Sequence, residues 1–232
     1  MTIQDMHIAI NLELDKTQDF EVAYMSPEQI DYWLNKAIKR MVKQRYTGNN
    51  FTGTSFEQTQ KRIDDLRLVT YYPQNADGSP IILPVTQVGE NYYQQLPNDY
   101  WYLVRLDITT QVGNCIADAQ PGSQVKQDTV NTIQEDPFNR SYSEIPVYYI
   151  IGNNIVFPTD NSFIILGTTP YYIQRPVTVQ LGSQYQVIST DINCNLSDQI
   201  HDEIVDTAVV MLLENIEQQR LQTFSGLERQ QE

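Results

Sequence analysis

The sequence is poor in the residues that most enzymes and metal proteins rely on. It has two histidines, His7 and His201, and two cysteines, Cys115 and Cys194. No second ligand stands at metal spacing from any of them, so no metal centre is expected, and His201 beside Asp202 reads as a surface histidine helped by an acid. With no C-x-x-C pattern, the cysteines read as reduced, inert thiols. G-x-G-x-x-G, G-x-x-x-x-G-K-[ST] and G-x-S-x-G are all missing, which removes the familiar phosphate cradles and the nucleophile elbow. The carboxylate pairs Asp64-Asp65 and Glu135-Asp136 lie in no apolar pattern that would raise a pKa, and read as solvated acids. Neither catalysis nor a cofactor is expected. Long apolar runs are lacking too: nothing approaches the roughly 18 residues of a membrane span, and "MTIQDMHIAINLELD" has neither the basic start nor the apolar run of a signal peptide. No membrane partner is expected.

Positive charge is scarce. Fifteen Lys and Arg face 29 Asp and Glu, a net charge of −14. Such a surface repels phosphate, which disfavours sequence-specific nucleic-acid binding but suits a wall past which DNA slides without sticking. Charged residues are only 19% of the chain, and amides fill the gap with 25 Gln and 16 Asn. That composition fits extensive hydrogen-bonded protein contacts, or a compositional bias of the host.

What is present is patterned. In "SPEQIDYWLNKAIKRMVKQRY", Ser26 and Gln29 form a capping box and Pro27 suits the first helical position. Ile30, Trp33, Leu34, Ala37, Ile38, Met41, Val42 and Tyr46 make a helical apolar stripe, opposite Lys36, Lys39, Arg40, Lys43 and Arg45. A second capping box, "SFEQ" at 55–58, predicts a helix to about Leu66. Strand signals follow. "LRLVTYYP" and "SPIILP" read as a hairpin around "QNADG", and "NYYQQLPNDYWYLVRLDITTQV" as strands. Residues 113–145 read as a loop-rich insertion, with one strand near Cys115 and a short helix capped by Asp128. "PVYYIIGNNIVFP" is a hairpin turning at Gly152-Asn153 or Asn153-Asn154. "NSFIILGTTPYYIQRPVTVQL" reads as a strand pair bent at Gly167 and Pro176. A long helix spans 197–222, its acids Asp198, Asp202, Glu203 and Asp206 placed early, where the helix dipole favours them.

Helices, then strands, then a helix predict an α+β fold: an antiparallel sheet or sandwich core with N-terminal helices and a long C-terminal helix packed together. The expected organisation is one domain over 1–222, with helices in 26–66, β-rich core in 67–112 and 146–190, and a flexible tail over 223–232. Lys36, Lys39, Arg40 and Lys43 are candidates to meet Asp202, Glu203 and Asp206, within one subunit or between two. Four tyrosine doublets, 71–72, 92–93, 148–149 and 171–172, should each put one ring on either face of a sheet. Tyr148 and Tyr149 are the candidate interface pair, one ring toward the core and one toward a neighbour.

The ordered set of landmarks resembles the head-to-tail connector (adaptor) proteins of tailed bacteriophages. "SPEQIDYWLNKAIKRMVKQRY" is similar to their early helix, "LPNDYWYLV" to their Leu-Pro-x-Asp-Tyr strand start and "YYIIGNNIVFP" to their hairpin. "PYYIQRPVTV" is similar to their Tyr-x-x-Arg-Pro strand and "LSDQIHDEIVDTAVVMLLEN" to their closing helix. "VKQDTVNTIQEDPFNRSYSEIPVYYI" and the amide content resemble the portal-attached ring proteins of crAss-like podoviruses. The resemblance implies a virion protein at the portal–tail junction, assembled in the host cytoplasm as a ring of about twelve copies. Its implied partners are further copies, the portal, the next tail protein, and double-stranded DNA passing through the channel. It further implies portal contacts in the tail, for which Phe224, Leu227 and Arg229 are the candidates. The competing reading is a β-rich tail or fibre adhesion module whose tyrosines contact glycan or a receptor.

Overall fold

Ser26 opens the amphipathic stripe as expected. Its backbone N–H donates to Gln29 Oε1 at 3.1 Å, and the helix runs over Pro27–Thr47 (α2). The computed structural model describes residues 1–17, 25–47, 64–182 and 190–215. Of the helix expected over 55–66, residues 64–66 are helical and the rest lies outside the described residues. An N-terminal helix not foreseen from the pattern, α1, spans Ile3–Thr17. Thr2 and Asp5 cap it reciprocally: Thr2 N–H donates to Asp5 Oδ2 at 2.9 Å, and Asp5 N–H to Thr2 Oγ1 at 3.2 Å. Ile3, Met6, Ile10 and Leu14 form its buried face.

The chain divides into two compact units, residues 1–69 with 176–232, and residues 70–175. The first is helical. A 3₁₀ turn at Asp198–Ile200 leads into a helix over His201–Asn215, which packs against both α1 and α2. Ile204, Ala208, Val209, Leu212 and Leu213 are fully buried in it, and burying each such side chain is worth about 1.5–3 kcal/mol. After the sandwich described below, the chain runs along α2 rather than continuing a sheet. Asn35 clamps Val179 from both sides, its Nδ2 donating to the carbonyl at 2.8 Å and its Oδ1 accepting from the amide at 2.9 Å. Beside it, Asp31 receives His7 Nε2 at 2.8 Å, a buried pair that links α1 to α2.

The second unit is a β-sandwich. One sheet centres on the long antiparallel pair Tyr100–Val112 (β5) and Ile164–Gln174 (β11). The short strands Thr70–Tyr71 (β1) and Leu83–Pro84 (β2) lie in series along the free edge of β11. They do not pair with each other, but the hairpin expected there forms beyond them, with Ile81 N–H donating to the Pro73 carbonyl at 2.9 Å and Asn75 N–H to the Ser79 carbonyl at 2.8 Å. Its tip turns at "QNADG", where Gln74 bridges Pro80. The strand pair expected over 161–181 is one strand, β11, and Pro170 within it lies opposite the break between β1 and β2. A residue without an N–H is tolerated where no ladder needs it. Gly167 admits β2, since a Cβ there would sit 2.4 Å from Ile82 Cγ2 and 2.6 Å from the Leu83 carbonyl oxygen.

The other sheet runs Thr86–Val88 (β3), Asn91–Gln95 (β4), Asn154–Pro158 (β10), Val147–Ile151 (β9) and Ser123–Gln124 (β8), in that spatial order. The turn of β9–β10 is Gly152-Asn153, with Gly152 at φ +57°. Gly89-Glu90 and Gly113-Asn114 make the same kind of two-residue turn, each with glycine first and at positive φ. This is the turn chemistry that suits the twist of paired strands. Between the sheets Leu103, Leu106, Ile108, Ile165 and Tyr172 meet Tyr92, Tyr148, Ile155 and Phe157. Thr168 Oγ1 and Gln94 Oε1 hydrogen-bond across this core.

Residues 113–145 depart most from expectation. The strand expected near Cys115 is Cys115–Ile116 (β6) on the edge of β5, but the segment then adds Gln120–Pro121 (β7) to that edge and crosses to the other sheet as β8. The short helix that follows, Val130–Glu135 (α3), has Thr129 and not Asp128 at its N-cap. The final helix, His201–Asn215, is α4.

Candidate functional site

α2 brings the sequence-predicted basic residues to one exposed face. Lys36, Lys39, Arg40 and Lys43 are all exposed, and Tyr32 joins them with 61% of its surface open. Tyr32, Lys36 and Lys39 fall at i, i+4 and i+7, so they share one side of the helix. Lys36 Nζ sits 4.5 Å over the Trp33 ring, and Tyr32 meets Trp33 edge-on with centroids 5.3 Å apart. An ammonium held on an indole keeps its charge outward at little entropic cost.

α2 and the acids of α4 meet within the chain at Arg45. Arg45, 5% exposed, donates from Nε to Asp65 Oδ2 at 2.9 Å and from a guanidinium NH₂ to Glu203. Arg45, which was not among the candidate cations, thus ties α2 to Glu203 of α4 within the chain. Asp202 is exposed and Asp206 half-buried on the same helix. His201, expected at the surface, is 2% exposed. Its Nε2 lies 3.2 Å from the Leu196 carbonyl, and its Nδ1 lies near both Asp198 and the Met1 amino group. Burial, then the Met1 amino charge, lowers its pKa.

The tyrosine doublets divide by face as predicted at 92–93, 148–149 and 171–172. Tyr92, Tyr148 and Tyr172 are core residues. Tyr148 is the ring of its pair that faces the core, packed on Phe157 with centroids 6.4 Å apart. Tyr149 stands on the outer face, where register puts Tyr93 and Tyr149 on either side of Val156. The two half-exposed rings shield that valine fully. On the other sheet Tyr171 stacks on Tyr72 at 4.6 Å, and burial pushes its phenol up to about 12. Phe224, Leu227 and Arg229 lie outside the described residues.

A cavity of about 370 Å³ was not foreseen. It opens in the second unit among β8, α3, the 136–145 turn and β9, lined by Val125, Ile133, Asp136, Phe138, Arg140, Tyr142 and Ile145 among others. Phe138 at its mouth is 89% exposed and Ile145 60%. Arg140 lies over Tyr142 and 3.4 Å from Asp160, yet its Nε is buried with no hydrogen-bond partner among the described residues. Asp136 accepts from Phe138 N–H at 2.9 Å and from Asn139, which holds its carboxyl below the usual range. Among the described residues no three His, Cys, Asp or Glu gather as a metal site, and no helix is long and apolar enough to cross a membrane.

Outward aromatic and basic rows on a helical unit, joined to a sandwich with a bare apolar rim, are the features of an assembly subunit. The family of phage tail ring protein 3/4 matches residues 17–223, and the chain belongs to that family, the ring proteins of crAss-like phages. It is a virion structural protein of the tail. A search of the curated proteins gives no match.

Proposed function

We propose that this protein forms a closed ring of about twelve copies in the stack between the capsid portal and the tail, with the DNA channel at its centre. Membership of a ring family across residues 17–223 carries the reading. The net charge of −14 supports the channel role, since an acidic wall lets DNA pass during packaging and ejection without capture. The ring receives the portal on one side and a further ring or tail protein on the other. Phe224, Leu227 and Arg229 are proposed as portal contacts of the C-terminal segment.

The mass of the purified chain, alone and mixed with its portal, tests this. A ring that joins the portal is the expected result, and deletion of 223–232 should weaken the joining without altering the melting of the fold. Closed rings that bind other tail proteins and never the portal would move the ring away from the junction. Glycan binding by a chain that forms no ring would favour an adhesion role.

A further inference from the structure

A closed ring is built from heterologous contacts, in which one surface of a subunit meets a different surface of the next. Each copy here carries a net charge of −14, so copies repel one another over most of their surface. A contact between copies is favoured where one side supplies cations and the other acids. The outward face of α2 is the strongest local exception to the acidity. Lys36, Lys39 and Arg40 are exposed there in succession, beside the exposed ring of Tyr32. Arg45 at the end of the helix is spent on Asp65 and Glu203 inside the subunit, which leaves Lys36, Lys39 and Arg40 as the cations this face presents outward.

The second unit carries a surface of opposite character. Asp128, Glu135 and Glu144 are exposed in the chain segments that line the cavity, outnumbering the exposed Lys126, and Asp136 stands in the cavity wall. Phe138 and Ile145 stand bare at its mouth, and large apolar groups flanking an open cavity mark a place that a partner covers. Arg140 in the cavity wall lies over Tyr142 and 3.4 Å from Asp160, so its cation is already matched by an acid of the same unit. Tyrosine, tryptophan and arginine are also the residues that most often anchor protein interfaces.

We propose that these two surfaces are the two halves of the ring contact. The α2 face of one copy, led by Tyr32, seats on the cavity rimmed by Phe138 and Ile145 of the next copy, with Lys36, Lys39 and Arg40 against Asp128, Glu135 and Glu144. The occupant is a second copy of this chain. This rests on ring assembly, and not on where in the virion the ring lies.

The test mixes two full-length chains, both Cys115→Ser, one carrying Lys39→Cys and the other Glu135→Cys, and treats them with a short bismaleimide. The expected outcome is a heterodimer enriched roughly tenfold over a control pair of Lys39→Cys with Asp77→Cys. Equal yields from the two pairs would overturn the contact while leaving ring formation and portal binding to be read separately. A second arm reverses charge. Lys39→Glu with Arg40→Glu should lower ring yield by roughly tenfold, and Glu135→Lys with Glu144→Lys in the same chain should recover it. Circular dichroism confirms that both variants fold. If the reversed chain still forms rings but loses binding to double-stranded DNA at low salt, the α2 face points at nucleic acid and the proposal fails.

Discussion

The amide of Gly122 donates to the carbonyl of Leu106 at 2.8 Å, and one residue later Ser123 donates to Pro146 in the opposite sheet, also at 2.8 Å. The chain therefore changes sheets within a single peptide step. It does so through the core, where Ile108 and Tyr148 from the two sheets close over the glycine.

Replacing Gly122 with alanine would place a Cβ 2.7 Å from Ile108 Cδ1 and 2.8 Å from Tyr148 Cδ1. Both neighbours are buried and held by the core, so they cannot simply swing away. Gly122→Ala is expected to destabilise the fold by about 1–3 kcal/mol, read as a lower denaturation midpoint at unchanged slope. A midpoint equal to wild type would mean that the crossing is looser than described.

Thr168 and Gln94 are both buried and face one another across the sandwich. Thr168→Val keeps the shape and strands the amide oxygen, which should cost about 1–3 kcal/mol. Thr168→Val with Gln94→Leu removes both polar groups and should recover most of that loss. A double-mutant cycle measures the coupling, and additive losses would show that the hydrogen bond contributes nothing.

Arg45 holds Asp65 and Glu203 with its own side chain buried, so Arg45→Leu leaves carboxylates without their cation. Asp65 is 1% exposed at its side chain, which makes the loss severe, about 3–5 kcal/mol. Arg45→Lys should restore little, because one ammonium does not reproduce a planar fork. Thermal melting of both variants checks this.

His201 titrates below its ordinary value because burial disfavours the imidazolium. Between about 6.5, its value in an unfolded chain, and its lower folded value, the unfolded chain binds more protons. Stability should therefore fall as pH drops through that window and level off below it. His201→Gln should flatten this segment of the stability–pH curve. A curve that keeps its slope would assign the pH dependence to other groups.

The helix α2 was legible because cap, first-turn proline, stripe and charge all agreed within one segment. The tyrosine doublets were legible because strand geometry alone forces neighbouring rings to opposite faces. α1 was hidden by Ile8 and Leu12, which are exposed and blur its stripe, although Thr2 and Asp5 did carry the capping signal. Of the strands in 113–124, β6 was expected near Cys115, but β7 and β8 were not, for a different reason. Each is two residues long and held by backbone pairing to distant partners, which leaves no alternation to read. β11 looked like a strand pair bent at Gly167 and Pro176, because the sequence shows neither the edge that Gly167 opens to β2 nor the gap opposite Pro170. Of the candidate surfaces, the cations of α2 were visible in the stripe. The cavity was not, since it forms only when residues 123–147 fold back on themselves.

The sandwich interrupts the helical unit in sequence, and pairing of Thr70 with Ile173 sets its two ends on adjacent strands. During synthesis the sandwich has all its strands before α4 is made. α1 and α2 emerge first and wait on the order of ten seconds for α4 at ribosomal rates. The helical unit, and with it the settled surface of α2, is thus the last part of each subunit to be finished. If α2 docks on the sandwich of a neighbouring copy as proposed, translation itself would delay a complete docking face until the acceptor half has been made.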